Sequence, residues 1–95
     1  MYNYKISVEA KEDLKRIYKY GVSKFGMNQA DKYYEALFNH FELIAKRPLS
    51  FNSVDHIRKG YRRCPCGSDS IYYKISDNNV EIMAIIGRQD LESKL

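Results

Sequence analysis

The chain of 95 residues carries 16 lysines and arginines against 12 aspartates and glutamates, a formal net charge of +4, and is 44% hydrophobic and 29% charged, the make-up of an ordinary globular protein. That length forms one domain able to bury roughly 60% of its unfolded surface without staples or metal, and no apolar run approaches the roughly 20 residues that cross a bilayer. The opening Met1-Tyr2-Asn3-Tyr4-Lys5 lacks the apolar core of a signal peptide, so the expected setting is the cytoplasm with no membrane partner, and the positive charge favours an acidic partner, nucleic acid or acidic polypeptide.

Tyr2, Tyr4, Ile6 and Val8 alternate with Asn3, Lys5 and Ser7, the period of a first strand. Ser7 is placed to cap a helix, with Glu9, Glu12 and Asp13 near its positive end. Ala10, Leu14, Ile17 and Gly21 form the apolar stripe of that helix, and Tyr18, Val22 and Phe25 widen it. Lys11, Lys15, Arg16 and Lys19 occupy the solvated side, and Gly26 ends the helix. A second helix is expected from about Asn28, with the Asn28 side chain as its cap and Asp31 following in the first turn. Ala30, Tyr34, Leu37, Phe41 and Ile44 recur at helical spacing, with Tyr33, Phe38 and Ala45 beside them. Lys46 and Arg47 suit the negative C-terminal end, and Pro48 cannot continue it. So short a link makes the two helices an antiparallel hairpin, and core packing accounts for the Tyr/Phe stripe more simply than a ligand pocket does.

Leu49 to Asp55 reads as a connector. Arg58, Lys59, Arg62 and Arg63 then place four cations within six residues, with no acid among them. A turn built on Pro65 and Gly67 is expected to deliver the chain into a strand over Ser70–Ser76, where Ile71, Tyr73 and Ile75 face one side and Ser70, Tyr72, Lys74 and Ser76 the other. Asp77-Asn78-Asn79 supplies a turn, and Val80 to Ile86 returns as a strand. The predicted class is α+β in the order β-α-α-β-β-β: an N-terminal strand, then a helical hairpin packed on one face of a small, mainly antiparallel sheet. Two consecutive helices cover only one face. With Val80, Ile82, Ala84 and Ile86 turned toward them, the open face is expected to carry an apolar patch of Tyr72, Met83 and Ile85 beside the basic strand, and such patches mark partner sites. The other expected cover for that face is the polar tail from Gly87 to Leu95.

Cys64 and Cys66 flank Pro65, too close for an unstrained disulfide. His40 and His56 lie far apart in sequence, so no metal or other cofactor is expected, and the cysteines are read as reduced thiols.

The ordered set of Ala10, Asp13-Leu14 and Ile17, then Gly26, Gln29-Ala30 and Tyr33, then Leu43, Ala45 and Pro48 continues through Asp55, Ile57-Arg58 and Gly60-Tyr61-Arg62-Arg63. Gly67-Ser68, Ile71-Tyr72-Tyr73, Val80-Glu81-Ile82 and Gly87-Arg88-Gln89-Asp90 complete it. This set resembles the ParE branch of the RelE/ParE toxin superfamily over nearly the whole chain, and its specificity lies in order and spacing rather than in any one piece. The resemblance implies a single-domain toxin of a bacterial type II toxin–antitoxin module, of the plasmid-stabilisation kind. Such a toxin holds DNA gyrase on cleaved DNA until a cognate antitoxin neutralises it, and nucleic acid takes part only through the gyrase–DNA complex.

The same fold serves ribosome-dependent mRNA endonucleases of the RelE type. That chemistry needs a base for a ribose 2′-hydroxyl, an acid for the leaving oxygen and cations for the phosphorane. Arg58, Arg62, Arg63 and Arg88 are available as cations, and Tyr72 or Tyr73 as a weak acid. Gly87 and Asp69 stand where relatives often carry histidine, which argues against histidine-based cleavage, while relatives with a lysine base leave Lys59 and Lys74 as candidates. Direct nucleic-acid binding through Tyr61, Tyr72 and Tyr73 is a third class, opposed by the modest charge and the lack of a recognition-helix or RNP pattern. A solvated edge strand, whose charges merely discourage aggregation, is the non-functional alternative for Arg58–Arg63. The reading adopted is a non-enzymatic toxin with no catalytic residues. Arg58, Arg62, Arg63 and Arg88 are expected to meet the target, and Tyr72, Met83 and Ile85 with Arg58 and Arg62 to meet the antitoxin. The alternatives are the mRNA endonuclease and a toxin with an altered target or lost activity.

Overall fold

The computed structural model describes residues 2–87. Strand β1 (Asn3–Ile6) leads into helices α1 (Val8–Phe25) and α2 (Met27–Lys46), followed by β2 (Asn52–Ser53), β3 (Tyr61–Cys66), β4 (Asp69–Ser76) and β5 (Asn79–Gly87). The strands form one sheet in the order β1-β5-β4-β3-β2. β1 runs parallel to β5, and the other neighbours are antiparallel. The α+β order predicted from the pattern is present, with one addition: the connector contributes the two-residue β2.

Ser7 caps α1, its Oγ accepting the Ala10 N–H at 3.0 Å and donating to the Met83 carbonyl at 3.0 Å. Gly26, at φ 89, both ends α1 and opens α2. The expected Asn28 cap does not form, because a one-residue link leaves no room for a side-chain cap before Met27. The Gly26 carbonyl instead takes the Ala30 N–H at 3.1 Å, and Asp31 accepts the Tyr18 hydroxyl at 2.6 Å.

Both helices lie on one face of the sheet. Ala10, Leu14 and Ile17 of α1 and Leu37, Phe41 and Ile44 of α2 pack on Cys64, Ile71, Tyr73, Val80, Ile82 and Ile85. The expected α1 stripe stops short of its end, since Phe25 is 63% exposed. β3 runs through Pro65 to Cys66, so of the turn expected on Pro65 and Gly67 the Gly67 part forms, with Ser68, while Pro65 belongs to the strand. Proline is tolerated there because β2 pairs only with Arg62 and Arg63, and no ladder bond is lost beyond them.

The larger correction concerns β5. Tyr72 pairs with Ala84 but Tyr73 with Ile82, so Met83 is an extra residue, a β-bulge. One inserted residue reverses the facing of everything after it. Val80 and Ile82 face the helices as predicted. Beyond the bulge, Ile85 joins the helix-side core, while Ala84 and Ile86 turn to the other face.

β1 pairs with β5 only as far as Ile6 and Ile82. Helix α1 takes over that edge. Asp13 Oδ2 accepts the Ile85 N–H at 3.0 Å, and Arg16 Nη2 donates to the Ile85 carbonyl at 3.1 Å and lies 3.4 Å from Asp13 Oδ1. Asp13 is therefore buried as a sheet partner, not solvated as a helix-end charge, and Arg16 is not simply on the solvated side. Among the described residues no helix is long and apolar enough to cross a membrane.

Candidate functional site

The basic stretch does not lie flat along an edge strand. Residues 54–61 form a closed loop: the Val54 N–H donates to the Tyr61 carbonyl at 2.8 Å, and the Ile57 and Arg58 N–H groups donate to the Val54 carbonyl at 2.8 and 3.0 Å. Gly60 sits at φ 84, and its N–H donates to Asp55 Oδ1 at 2.8 Å. Val54 and Ile57 form the underside of this loop. They pack with Tyr61, Tyr72, Met83, Ala84 and Ile86 into a second small core on the sheet face away from the helices.

That cover changes the expected antitoxin patch. Tyr72 is only 3% exposed and Ile85 0%, the first buried beneath the loop and the second turned to the helices by the bulge. Met83 alone of the three stays partly exposed on this side.

The four cations separate into distinct settings. Arg58 and Lys59 are exposed at the loop tip, with the Arg58 guanidinium 5.7 Å from the Tyr61 ring centre, a cation–π spacing. Arg62 and Arg63 are half-buried and alternate. Arg62 shares the helix side with its partner Tyr73 and donates from Nη1 to the Phe51 carbonyl at 2.7 Å. Arg63 shares the opposite side with Tyr72 and donates from Nε to Ser70 Oγ at 2.8 Å. There it lines, with His56, Tyr72, Val54, Ile57 and Asn52, a depression of about 390 Å³. Sequence reading kept His56 and Arg63 apart; the loop fold brings them to one wall. Arg88 lies outside the described residues.

The groups considered for catalysis are mostly engaged. The Tyr73 hydroxyl donates to the Pro48 carbonyl, and burial pushes its pKa up from 10.0 to about 12. Lys74 lies 3.5 Å from Glu81 in an ion pair across the β4–β5 ladder. His40 Nδ1 sits 2.7 Å from the Ala36 carbonyl; a carbonyl only accepts, so this nitrogen carries the hydrogen. Cys66 Sγ lies 3.5 Å from the same nitrogen. Both cysteines are free and buried on the helix-facing side of β3, and burial raises both thiol pKa values, that of Cys64 to about 11. Among the described residues no three metal-ligating side chains cluster.

A feature that sequence reading missed lies at the end of the helical hairpin. Tyr20, Phe25 and Met27 are 59%, 63% and 62% exposed, and a cleft of about 640 Å³ runs among Tyr18, Tyr20, Phe25, Tyr33, Tyr34 and Arg16. Its signal was the placing of Phe25 and Met27 on either side of a helix-ending glycine, where an apolar stripe has nothing left to pack on.

These elements have counterparts in known proteins. The chain matches the family model described as "ParE toxin of type II toxin-antitoxin system, parDE" over residues 4–92. It is 35% identical over 83 residues to Toxin ParE1 of Caulobacter vibrioides, covering 87% of this chain and 85% of that one. Toxin ParE1 of Mycobacterium tuberculosis is 26% identical over 94 residues, with 97% and 96% covered. Among solved structures, one described as the chromosomal ParDE TA system from P. aeruginosa superposes with a TM-score of 0.81 at 18% identity, covering 92% of this chain and 96% of that chain. A conserved hypothetical protein from Helicobacter pylori superposes at 0.56 and 11% identity, with 94% and 97% covered. At such identities the structures speak for the fold alone. With a family model spanning nearly its whole length and a relative more than one-third identical, the chain belongs to the ParE toxin family of type II toxin–antitoxin systems.

Proposed function

We propose that this toxin acts by binding DNA gyrase, without cutting nucleic acid itself, and that a cognate antitoxin silences it. The observation that carries the reading is the loop 54–61. Its two cations point outward from a backbone held by its own hydrogen bonds, with apolar residues anchoring it below, which is how a rigid contact element is built. Target contact is assigned to Arg58, Lys59 and Arg63, with Arg88 beyond the described residues. The antitoxin covers the cleft of the helical hairpin and the Arg63 side of the sheet. A supercoiling assay with purified protein tests this: inhibition with accumulated linear plasmid is expected, and no effect at excess protein removes gyrase as the target.

One observation favours a second reading. His56, Arg63 and Tyr72 share a depression, and a base, a cation and a phenol are the parts of an mRNA endonuclease. Against it, Arg62 faces the other side of the sheet and Arg58 lies on Tyr61, which among the described residues leaves Arg63 as the single guanidinium for the phosphorane charge. Primer extension on a translated message separates the readings. Cleavage that disappears in His56→Ala would establish the endonuclease.

A further inference from the structure

The depression beside β2 has a composition that neither reading uses fully. Arg63 is fixed at one end, because its Nε donates to Ser70 Oγ at 2.8 Å and Ser70 is itself only 7% exposed. Its two Nη groups find no acceptor among the described residues. Tyr72, at the same wall, forms no side-chain hydrogen bond among the described residues either. Val54 and Ile57 supply apolar sides. A guanidinium held by one nitrogen presents the others as a pre-oriented fork, and a fork matches the two oxygens of a carboxylate.

We propose that this depression is a socket for one acidic side chain of the antitoxin, with Arg63 gripping the carboxylate, Tyr72 donating to it and Val54 and Ile57 packing on its methylenes. The proposal rests on the antitoxin reading above and names the chemistry of that contact. The walls favour glutamate over aspartate, since the longer stem reaches the fork while covering apolar surface. They favour a polypeptide over a nucleic-acid strand for a separate reason. A phosphate backbone is held by a row of cations, and among the described residues only Arg63 enters the depression, Arg58 and Arg62 being turned to Tyr61 and Phe51.

The test measures affinity of the purified toxin for its antitoxin while each acidic antitoxin residue is replaced in turn by its amide. Arg63→Lys keeps the charge but loses the fork, and Tyr72→Phe keeps the ring but loses the hydroxyl. Each is expected to weaken binding about tenfold or more, as loss of a hydrogen bond to a charged group does. One antitoxin amide variant should weaken binding of the wild-type toxin by a similar factor and add almost nothing in the Arg63→Lys background, the sign of a shared contact. If Arg63→Lys does not fold, the same cycle run with Tyr72→Phe carries the test. Wild-type affinity in both variants, or no coupled acidic residue, overturns the socket and leaves the antitoxin reading standing. No complex with the wild-type toxin overturns both. Displacement of bound antitoxin by a short single-stranded oligonucleotide, lost in Arg63→Lys, would give the site to nucleic acid and also overturn the proposal.

Discussion

Gly67 has φ 59, and a Cβ built there would lie 2.6 Å from Cε1 of Tyr33. That ring has little freedom to yield, because its hydroxyl lies 2.8 Å from both the Cys66 carbonyl and Asp69 Oδ2. Gly67→Ala therefore meets two penalties, a left-handed backbone and a pinned neighbour, and is expected to cost about 2–3 kcal/mol in urea unfolding. Tyr33→Phe, which removes only the hydrogen bonds, should cost about 1 kcal/mol. The cysteines a few residues away give a pH prediction. Burial moves the Cys64 thiol from its ordinary 9.0 to about 11, and the Tyr73 phenol from 10.0 to about 12. The folded chain thus keeps protons that the unfolded chain has released, so stability is full below pH 9 and falls as pH rises from 9 through about 12. Urea midpoints measured across that range should decline, and less steeply in Cys64→Ala; a flat profile would refute the assignment. The same burial should leave both thiols unreactive toward alkylation near neutral pH until the chain unfolds.

At the scale of elements, hydrophobic periodicity made the two helices and the β4 strand legible, because a stripe or an alternation is itself the packing instruction. It failed in the second half of β5, where Val80-Glu81-Ile82-Met83-Ala84-Ile85-Ile86 gives apolar side chains to both faces and so hides a bulge. Nothing local in those residues marks Met83 as the extra one. The register is set by what lies on each face: helices on one side, the 54–61 loop on the other. The assignment has a direct test. Ile85→Ala should cost about 2–5 kcal/mol, the range for a fully buried aliphatic, whereas Met83→Ala should cost about 1 kcal/mol or less because Met83 is only partly buried. Simple alternation puts both residues on the open face and predicts a small, similar cost for each. The role of Asp13 was hidden for a similar reason, since an acid in the N-terminal part of a helix already has a local explanation in the helix dipole. Its distant partner on β5 appears only once β1 is seen to end at Ile6. Asp13→Ala removes the acceptor for the Ile85 N–H and should destabilise the fold by about 1–3 kcal/mol. It should also speed hydrogen exchange at the Ile85 amide ahead of the amides of β4. Equal protection in the variant would mean that α1 does not seal the strand edge.

At the scale of the whole molecule, the sheet separates two jobs. One face is filled by the helices and holds the main core; the other carries a small core roofed by the 54–61 loop, and Arg58, Lys59 and Arg63, the side chains proposed for contact, stand around that roof. The sequence made the cations conspicuous but not their arrangement. Val54 and Ile57 sit among polar residues with no periodicity, so their burial follows only from the loop closing over Tyr72. A solvated charge run and a presented contact loop are identical in composition, and differ in whether the backbone beneath is held. The distinction yields the final prediction. Arg58 and Lys59 are exposed, and the one interaction either side chain makes with a described group is the 5.7 Å stacking of Arg58 on Tyr61. Replacing both by alanine should therefore cost no more than about 1 kcal/mol of stability. The same change halves the formal net charge of +4 and removes it from one spot. If the loop is the gyrase contact, the variant should remain folded, lose most of its inhibition of supercoiling, and show a shallower dependence of the residual inhibition on salt, since screened attraction between exposed charges is what was removed. Lost inhibition with an unchanged salt slope would point to a shape defect in the loop, which circular dichroism and amide exchange at Val54 and Gly60 would reveal. Full inhibition by the folded double variant would shift the gyrase contact from the loop to the exposed apolar end of the helical hairpin, where Phe25→Ser and Met27→Ser become the decisive variants.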